Sequence, residues 1–144
     1  MNKLFYTWKN LAKDAEILAQ QIKAEYKPQS IIVITKGGLC VAGLLSQYLE
    51  VNNIDTACLY SYKGDKQGRI QAIKNPNPNL NSPLIVDDVV DTGETLKYVK
   101  RILPFAKSAT LHYKPNSSTI KPDFYVANTD KWIVYPWEVN ENDK

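Results

Sequence analysis

Leu84-Ile85-Val86-Asp87-Asp88-Val89-Val90-Asp91-Thr92-Gly93-Glu94-Thr95 is an apolar run that reaches two adjacent carboxylates and then turns, through a third acid and a glycine, into helical spacing. The continuous apolar residues fit a strand buried on both faces, over 84–89. Leu96, Val99 and Leu103 recur at three- and four-residue steps, which predicts a helix over 93–103. In open α/β sheets, ligands bind at the carboxyl ends of strands. A helix N-terminus offers unpaired N–H groups and a positive dipole end to an anion. Gly93 lets the backbone approach a ligand closely, and Thr92 and Thr95 add hydroxyls. One end of the turn therefore suits a phosphate, while Asp87 and Asp88 suit hydroxyl groups. A ribose 5-phosphate carries both. The competing reading is a strand–helix junction whose acids merely complement the helix dipole. A Walker A loop is excluded, because no G-x-x-x-x-G-K-[ST] run exists.

The surrounding chain repeats the same alternation. Trp8, Leu11, Ala15, Leu18 and Ile22 predict an amphipathic helix over 8–26, with Thr7 as N-cap and Pro28 beyond its end. Residues 31–35 form a β-branched run that reads as a buried strand. Lys36-Gly37-Gly38 follows as a tight loop, and 39–50 returns to helical spacing. Residues 56–62 and 108–113 read as further strands, with shorter ones at 123–126 and 132–135. Residues 63–81 are mostly polar, with local structure expected only around 69–73. A loop of that length is often a lid. Strand, helix, strand, long loop, strand, helix, strand implies α/β architecture, with a mainly parallel sheet flanked by helices.

Bulk properties narrow the function classes. The 144 residues fit one domain. Hydrophobic residues at 44% and charged residues at 23% describe a folded, soluble chain. A net charge of +3 is too small to argue for nucleic-acid binding. No apolar run is long enough to span a membrane, and residues 1–8 lack the pattern of a signal peptide, so a cytoplasmic protein is expected. Cys40 and Cys58 have no zinc-site spacing and read as buried, reduced thiols.

The segment 84–95 resembles the phosphoribosyl pyrophosphate (PRPP) signature of the type I phosphoribosyltransferases: an apolar strand, two acids, two apolar residues, Asp or Thr, then Thr-Gly-x-Thr. Asp91 is similar to the 6-oxopurine branch, and the likeness to bacterial xanthine-guanine enzymes runs along the chain. It includes Tyr6-Thr7-Trp8, Lys36-Gly37-Gly38-Leu39, Asp55-Thr56-Ala57-Cys58 with Ser61-Tyr62, Lys114-Pro115, Trp132-Ile133 and Pro136-Trp137-Glu138. The resemblance implies one phosphoribosyltransferase domain over 1–144, with a flexible loop at about 62–80 and a small base-binding hood. It also implies magnesium-dependent transfer of a phosphoribosyl group from PRPP to guanine, xanthine or hypoxanthine.

The site residues follow from the same resemblance. Asp91 is expected to be the general base at N7 of the purine. Thr92, Gly93, Glu94 and Thr95 would wrap the 5′-phosphate, with Val89 and Val90 in the same PRPP loop. Asp88 would contact Mg2+ and Asp87 the ribose hydroxyls, or the reverse. Lys36 and Gly37, at a non-proline cis peptide, would hold pyrophosphate, joined by Arg69 from the loop. Lys114 would donate to O6, which rejects adenine. Trp132 would stack on the base, and the Ile133 carbonyl would read its 2-position. A homodimer or homotetramer is implied. Two positions depart from the pattern: Lys36 where Arg is common, and Glu94 where Gly or Lys is usual. His112, the only histidine, lies in a strand pattern and is assigned no role. The alternatives are a non-catalytic PRPP-sensing regulator on the same fold, and an enzyme for adenine or a pyrimidine, which Lys114 disfavours.

Overall fold

A computed structural model describes residues 2–61 and 69–139. Its elements run β1 (Lys3–Phe5), α1 (Trp8–Glu25), β2 (Ser30–Thr35), α2 (Leu39–Leu49), β3 (Ile54–Ser61), β4 (Ile70–Lys74), β5 (Pro83–Val86), β6 (Val89–Val90), α3 (Glu94–Ile102), β7 (Lys107–Tyr113), β8 (Phe124–Asn128) and β9 (Trp132–Val134). Helix α1 starts where the sequence places it. Thr7 Oγ1 accepts from Asn10 N at 3.0 Å, and Asn10 Oδ1 accepts from Thr7 N at 2.9 Å, a reciprocal capping box.

The main sheet has the order β4-β3-β2-β5-β7, with β6 and β8 also paired to β7. All its pairs are parallel except β3 with β4. Successive strand residues face opposite sides, so a fully apolar strand needs cover on both. Ile31, Val33, Leu84 and Val86 pack with Leu11, Leu18 and Ile22 of α1 and with Val41 and Leu45 of α2. Ile32, Ile34 and Ile85 pack with Leu96 and Val99 of α3. Each such Leu or Ile contributes about 1.5–3 kcal/mol of transfer free energy. That double cover is the α/β layering expected from the sequence.

Three features differ from expectation. The strand read over 84–89 is divided at Asp87–Asp88, although β5 and β6 keep one register against β7. The cause is local: Asp88 N donates to Asp87 Oδ1 at 2.8 Å, and Val89 N donates to Asp88 Oδ1 at 2.7 Å. Side-chain carboxylates take amides that would otherwise extend the ladder. Next, the region around residues 69–73 forms a full strand, β4, antiparallel to β3. The rest of the loop expected at about 62–80 divides: residues 62–68 lie outside the described residues, and residues 75–80 lead into β5 without regular structure. Finally, β1 was not anticipated. It pairs with β9 in a separate two-stranded parallel sheet, Leu4 opposite Ile133. Cys40 and Cys58 are unpaired, as expected, but only half-buried.

Candidate active site

The carboxyl ends of β2, β3 and β5 open into two adjoining cavities. One, of about 90 Å³, is lined by Asp87, Val89, Val90, Asp91, Thr92, Gly93, Thr95 and Leu96. The other, of about 220 Å³, includes Thr35, Gly37, Ser61, Ile70, Asp87 and Asp88. Asp87 and Thr95 line both.

The first cavity is the turn into α3. Gly93 caps the helix with φ of 91°, a left-handed conformation that glycine adopts without strain. A Cβ there would lie 2.5 Å from Ile120 Cγ2 and 2.8 Å from Ser118 Oγ. Residues 118–120 therefore brace the loop from outside, and Thr119 N donates to Thr92 O at 3.2 Å. Glu94 stands beside the cavity rather than in it. Its side chain is exposed and lies 3.7 Å from Lys97 Nζ. The acid at this unusual position is thereby turned toward a lysine on the helix surface.

The second cavity brings the loop after β2 against the acidic pair. Thr35–Lys36 is a cis peptide, as the resemblance implied. A Cβ on Gly37 would lie 2.6 Å from Asp88 Oδ2, so only glycine allows this approach. Lys36 is exposed and lies outside the lining. Arg69 is exposed too and directly precedes Ile70, which lines the cavity. Burial and the neighbouring Asp88 charge hold the Asp87 carboxyl well above its ordinary range. Burial likewise raises Asp88. Such a pair favours a cation beside it. Among the described residues, no group of three or more His, Cys, Asp or Glu is placed to hold a metal. Two carboxylates fit magnesium, which keeps waters and takes much of its shell from substrate phosphates.

The third part of the site is the hood. Lys114 is buried at the end of β7, with its Nζ 3.4 Å from Asp91 Oδ2 and 5.5 Å from the centroid of the Trp132 ring. Trp132 is 51% exposed. A cavity of about 320 Å³ is lined by Asn2, Lys114, Asp130, Lys131 and Trp132. Ile133 is buried beside Trp132, and Trp132 N donates to Asn2 O at 3.1 Å. The structure thus brings Asp91, Lys114 and Trp132 together from segments far apart in sequence. Sequence reasoning missed Asn2, the 118–120 brace and Tyr135. None of them carries a motif.

An α/β sheet with a phosphate-sized turn, a buried acidic pair and an aromatic–lysine hood defines a nucleotide-handling protein of the phosphoribosyl-transferring kind. Comparison with known sequences agrees: the phosphoribosyl transferase domain matches residues 2–144, and the chain belongs to that family. The chain is 36% identical over 135 residues to a xanthine-guanine phosphoribosyltransferase of Chromohalobacter salexigens, covering 92% of this chain and 82% of that protein. It is 33% identical over 134 residues to the protein of the same name in Desulfotalea psychrophila, covering 92% and 84%. Its structure resembles a purine phosphoribosyltransferase from Pyrococcus horikoshii with a TM-score of 0.85 and 35% identity, covering 97% and 96% of the two chains.

Proposed function

We propose that this protein transfers the 5-phosphoribosyl group of PRPP to a 6-oxopurine, releasing pyrophosphate and the nucleoside monophosphate. The observation that carries this reading is the convergence of Asp91, Lys114 and Trp132 beside the phosphate turn. Likeness to purine and xanthine-guanine enzymes supports the substrate class.

The roles follow from chemistry. The 5′-phosphate sits against the N-terminus of α3, where backbone N–H groups of residues 92–95 converge. Backbone binding makes the outward Glu94 side chain harmless. Asp87 and Asp88 accept from the ribose hydroxyls, and one of them contacts a magnesium ion. When bound with PRPP, that ion neutralises charge on the leaving pyrophosphate. Gly37 allows the pyrophosphate loop to lie over Asp88, with Lys36 and Arg69 as cations at its margin. Asp91 accepts the proton from N7 as the base attacks C1′. Lys114 donates to O6 and opposes adenine, whose 6-amino group also donates. Trp132 stacks on the ring, and the Ile133 carbonyl accepts from a 2-substituent. No described helix is long and apolar enough to cross a membrane. Cytoplasmic purine salvage by a homodimer or homotetramer completes the proposal.

The test is incubation with PRPP, magnesium and guanine, xanthine or hypoxanthine in turn. Pyrophosphate release with at least one base is expected. PRPP binding without release for any base would overturn the enzyme reading in favour of a PRPP sensor.

A further inference from the structure

Tyr135 directly follows β9 and joins the hood to the acidic pair. Its hydroxyl donates to the Asp88 carbonyl at 3.3 Å and lies 2.9 Å from His112 Nδ1. A tyrosine has one hydroxyl proton. With that proton on Asp88, the contact to His112 is a hydrogen bond only when Nδ1 carries a proton of its own. Donation by Tyr135 Oη to the Asp88 carbonyl goes with the tautomer that carries the proton on Nδ1, and the contacts then form a relay from Nδ1–H to Tyr135 Oη to that carbonyl.

The same carbonyl accepts from Leu111 N at 3.0 Å and from His112 N at 3.1 Å. Asp88 is thus gripped by its carbonyl on one side, while its carboxylate lies against Gly37 on the other. Tyr135 is only 3% exposed. It stacks on Trp137 at 4.7 Å and 10°, and it meets Tyr6 edge-on at 5.5 Å. Tyr6 is anchored in turn by a 2.7 Å bond from its hydroxyl to Asp14. In so close-packed a setting, a shift of β9 is transmitted to the hydroxyl.

We propose that Tyr135, held by His112, is a positioning residue that couples purine occupancy of the hood to the placement of Asp88. The inference rests on the function proposed above. A purine stacked on Trp132 and bonded at Ile133 fixes β9, and Tyr135 then favours one arrangement of the Asp88 backbone. Binding on the pyrophosphate side becomes tighter, and by reciprocity the base binds tighter too.

Magnesium pyrophosphate and xanthine test this without turnover, because neither carries the ribose. Calorimetric titration of magnesium pyrophosphate into wild-type protein should show about fivefold or more tighter binding with saturating xanthine present. In Tyr135→Phe and His112→Phe, affinity without xanthine should stay within about twofold of wild type, while the tightening falls below about twofold. His112→Asn retains a side-chain N–H near the Nδ1 position and should keep the wild-type tightening. Unchanged tightening in Tyr135→Phe would overturn the coupling. So would an equal loss of affinity with and without xanthine, since a purely structural role predicts that. Wild-type protein that binds both ligands without mutual tightening also sinks the coupling, and leaves the proposed function standing. Wild-type protein that binds neither ligand overturns the function itself, and the coupling with it.

Discussion

The phosphate turn and the hood both present polar groups to one face of a ligand, yet they are built in opposite ways. The turn is contiguous: strand, acids, glycine and helix N-terminus follow one another, and each polar group is placed by the backbone beside it. The hood gathers Asn2, Lys114 and Trp132 from three distant segments. Tertiary contacts hold them together, among them the bond from Trp132 N to Asn2 O and the Lys114 ammonium over the Trp132 ring. A contiguous site is largely placed once its strand and helix form, and residues 118–120 then brace it from outside. An assembled site depends on every contact between its parts, which suits it to respond to a ligand.

Asp91 stands where the two regions meet, in the turn by sequence and against Lys114 by contact. Asp91→Asn keeps the shape of the side chain and removes the proposed base. Transfer should slow by about 100-fold to 10,000-fold, with the melting temperature nearly unchanged. Steady-state rates with each 6-oxopurine would show it; a full rate would rule out Asp91 as the base.

His112 supports the hood side, and its burial makes a pH-dependent contribution. Its pKa of about 4 in the folded chain lies below the ordinary 6.5. Between those values the unfolded chain binds a proton that the folded chain refuses. Stability from this group is therefore complete above pH 6.5 and falls as pH drops toward 4, by at most roughly 3 kcal/mol. Asp87 and Asp88, with raised pKa values, act in the opposite sense. The comparison of wild type with His112→Asn isolates the histidine. Urea midpoints at pH 7 and pH 4.5 should diverge more for wild type than for the variant; equal shifts would count against a buried neutral imidazole.

On the turn side, Gly93→Ala tests whether local geometry alone sets the phosphate site. The new Cβ meets Ile120 and Ser118 at a φ of 91°. A loss of roughly 2 kcal/mol is expected from backbone strain alone. PRPP affinity should fall with it, while purine binding changes little. Denaturant unfolding with PRPP and base titrations would reveal either region failing without the other.

The same contrast explains what the sequence disclosed. The α/β order was legible because Ile31–Ile34 and Leu84–Val86 are short apolar runs without break, which fit strands covered on both faces. The turn was legible because its groups are neighbours. Asp87 and Asp88 breaking their own strand was not, since it depends on which amide a carboxylate reaches. Strand β1 was missed because three residues pair only through β9, more than a hundred positions later. His112 and Tyr135 look like ordinary strand residues until Asp88 is placed beside them. Lys114 and Trp132 came from resemblance, because nothing local distinguishes either from a surface lysine or a core aromatic.

Lys114→Ala should have the smallest effect of the four and say the most about the hood. Lys114 touches no phosphate-loop backbone through its side chain; its ammonium lies between Asp91 and the Trp132 ring. Truncation removes one charged donor to O6 and leaves the acidic pair and the α3 N-terminus in place. One charge-assisted bond corresponds to about 1.5–3 kcal/mol, and solvent entering the open hood will replace part of it. The kcat/KM for a 6-oxopurine should thus fall about tenfold, near 1.4 kcal/mol, while the KM for PRPP stays almost constant. Discrimination against adenine should weaken at the same time, because the donor that its amino group opposes is gone. An equal fall for PRPP and base would mean that Lys114 acts through Asp91 on the whole site, and that hood and turn are one unit rather than two.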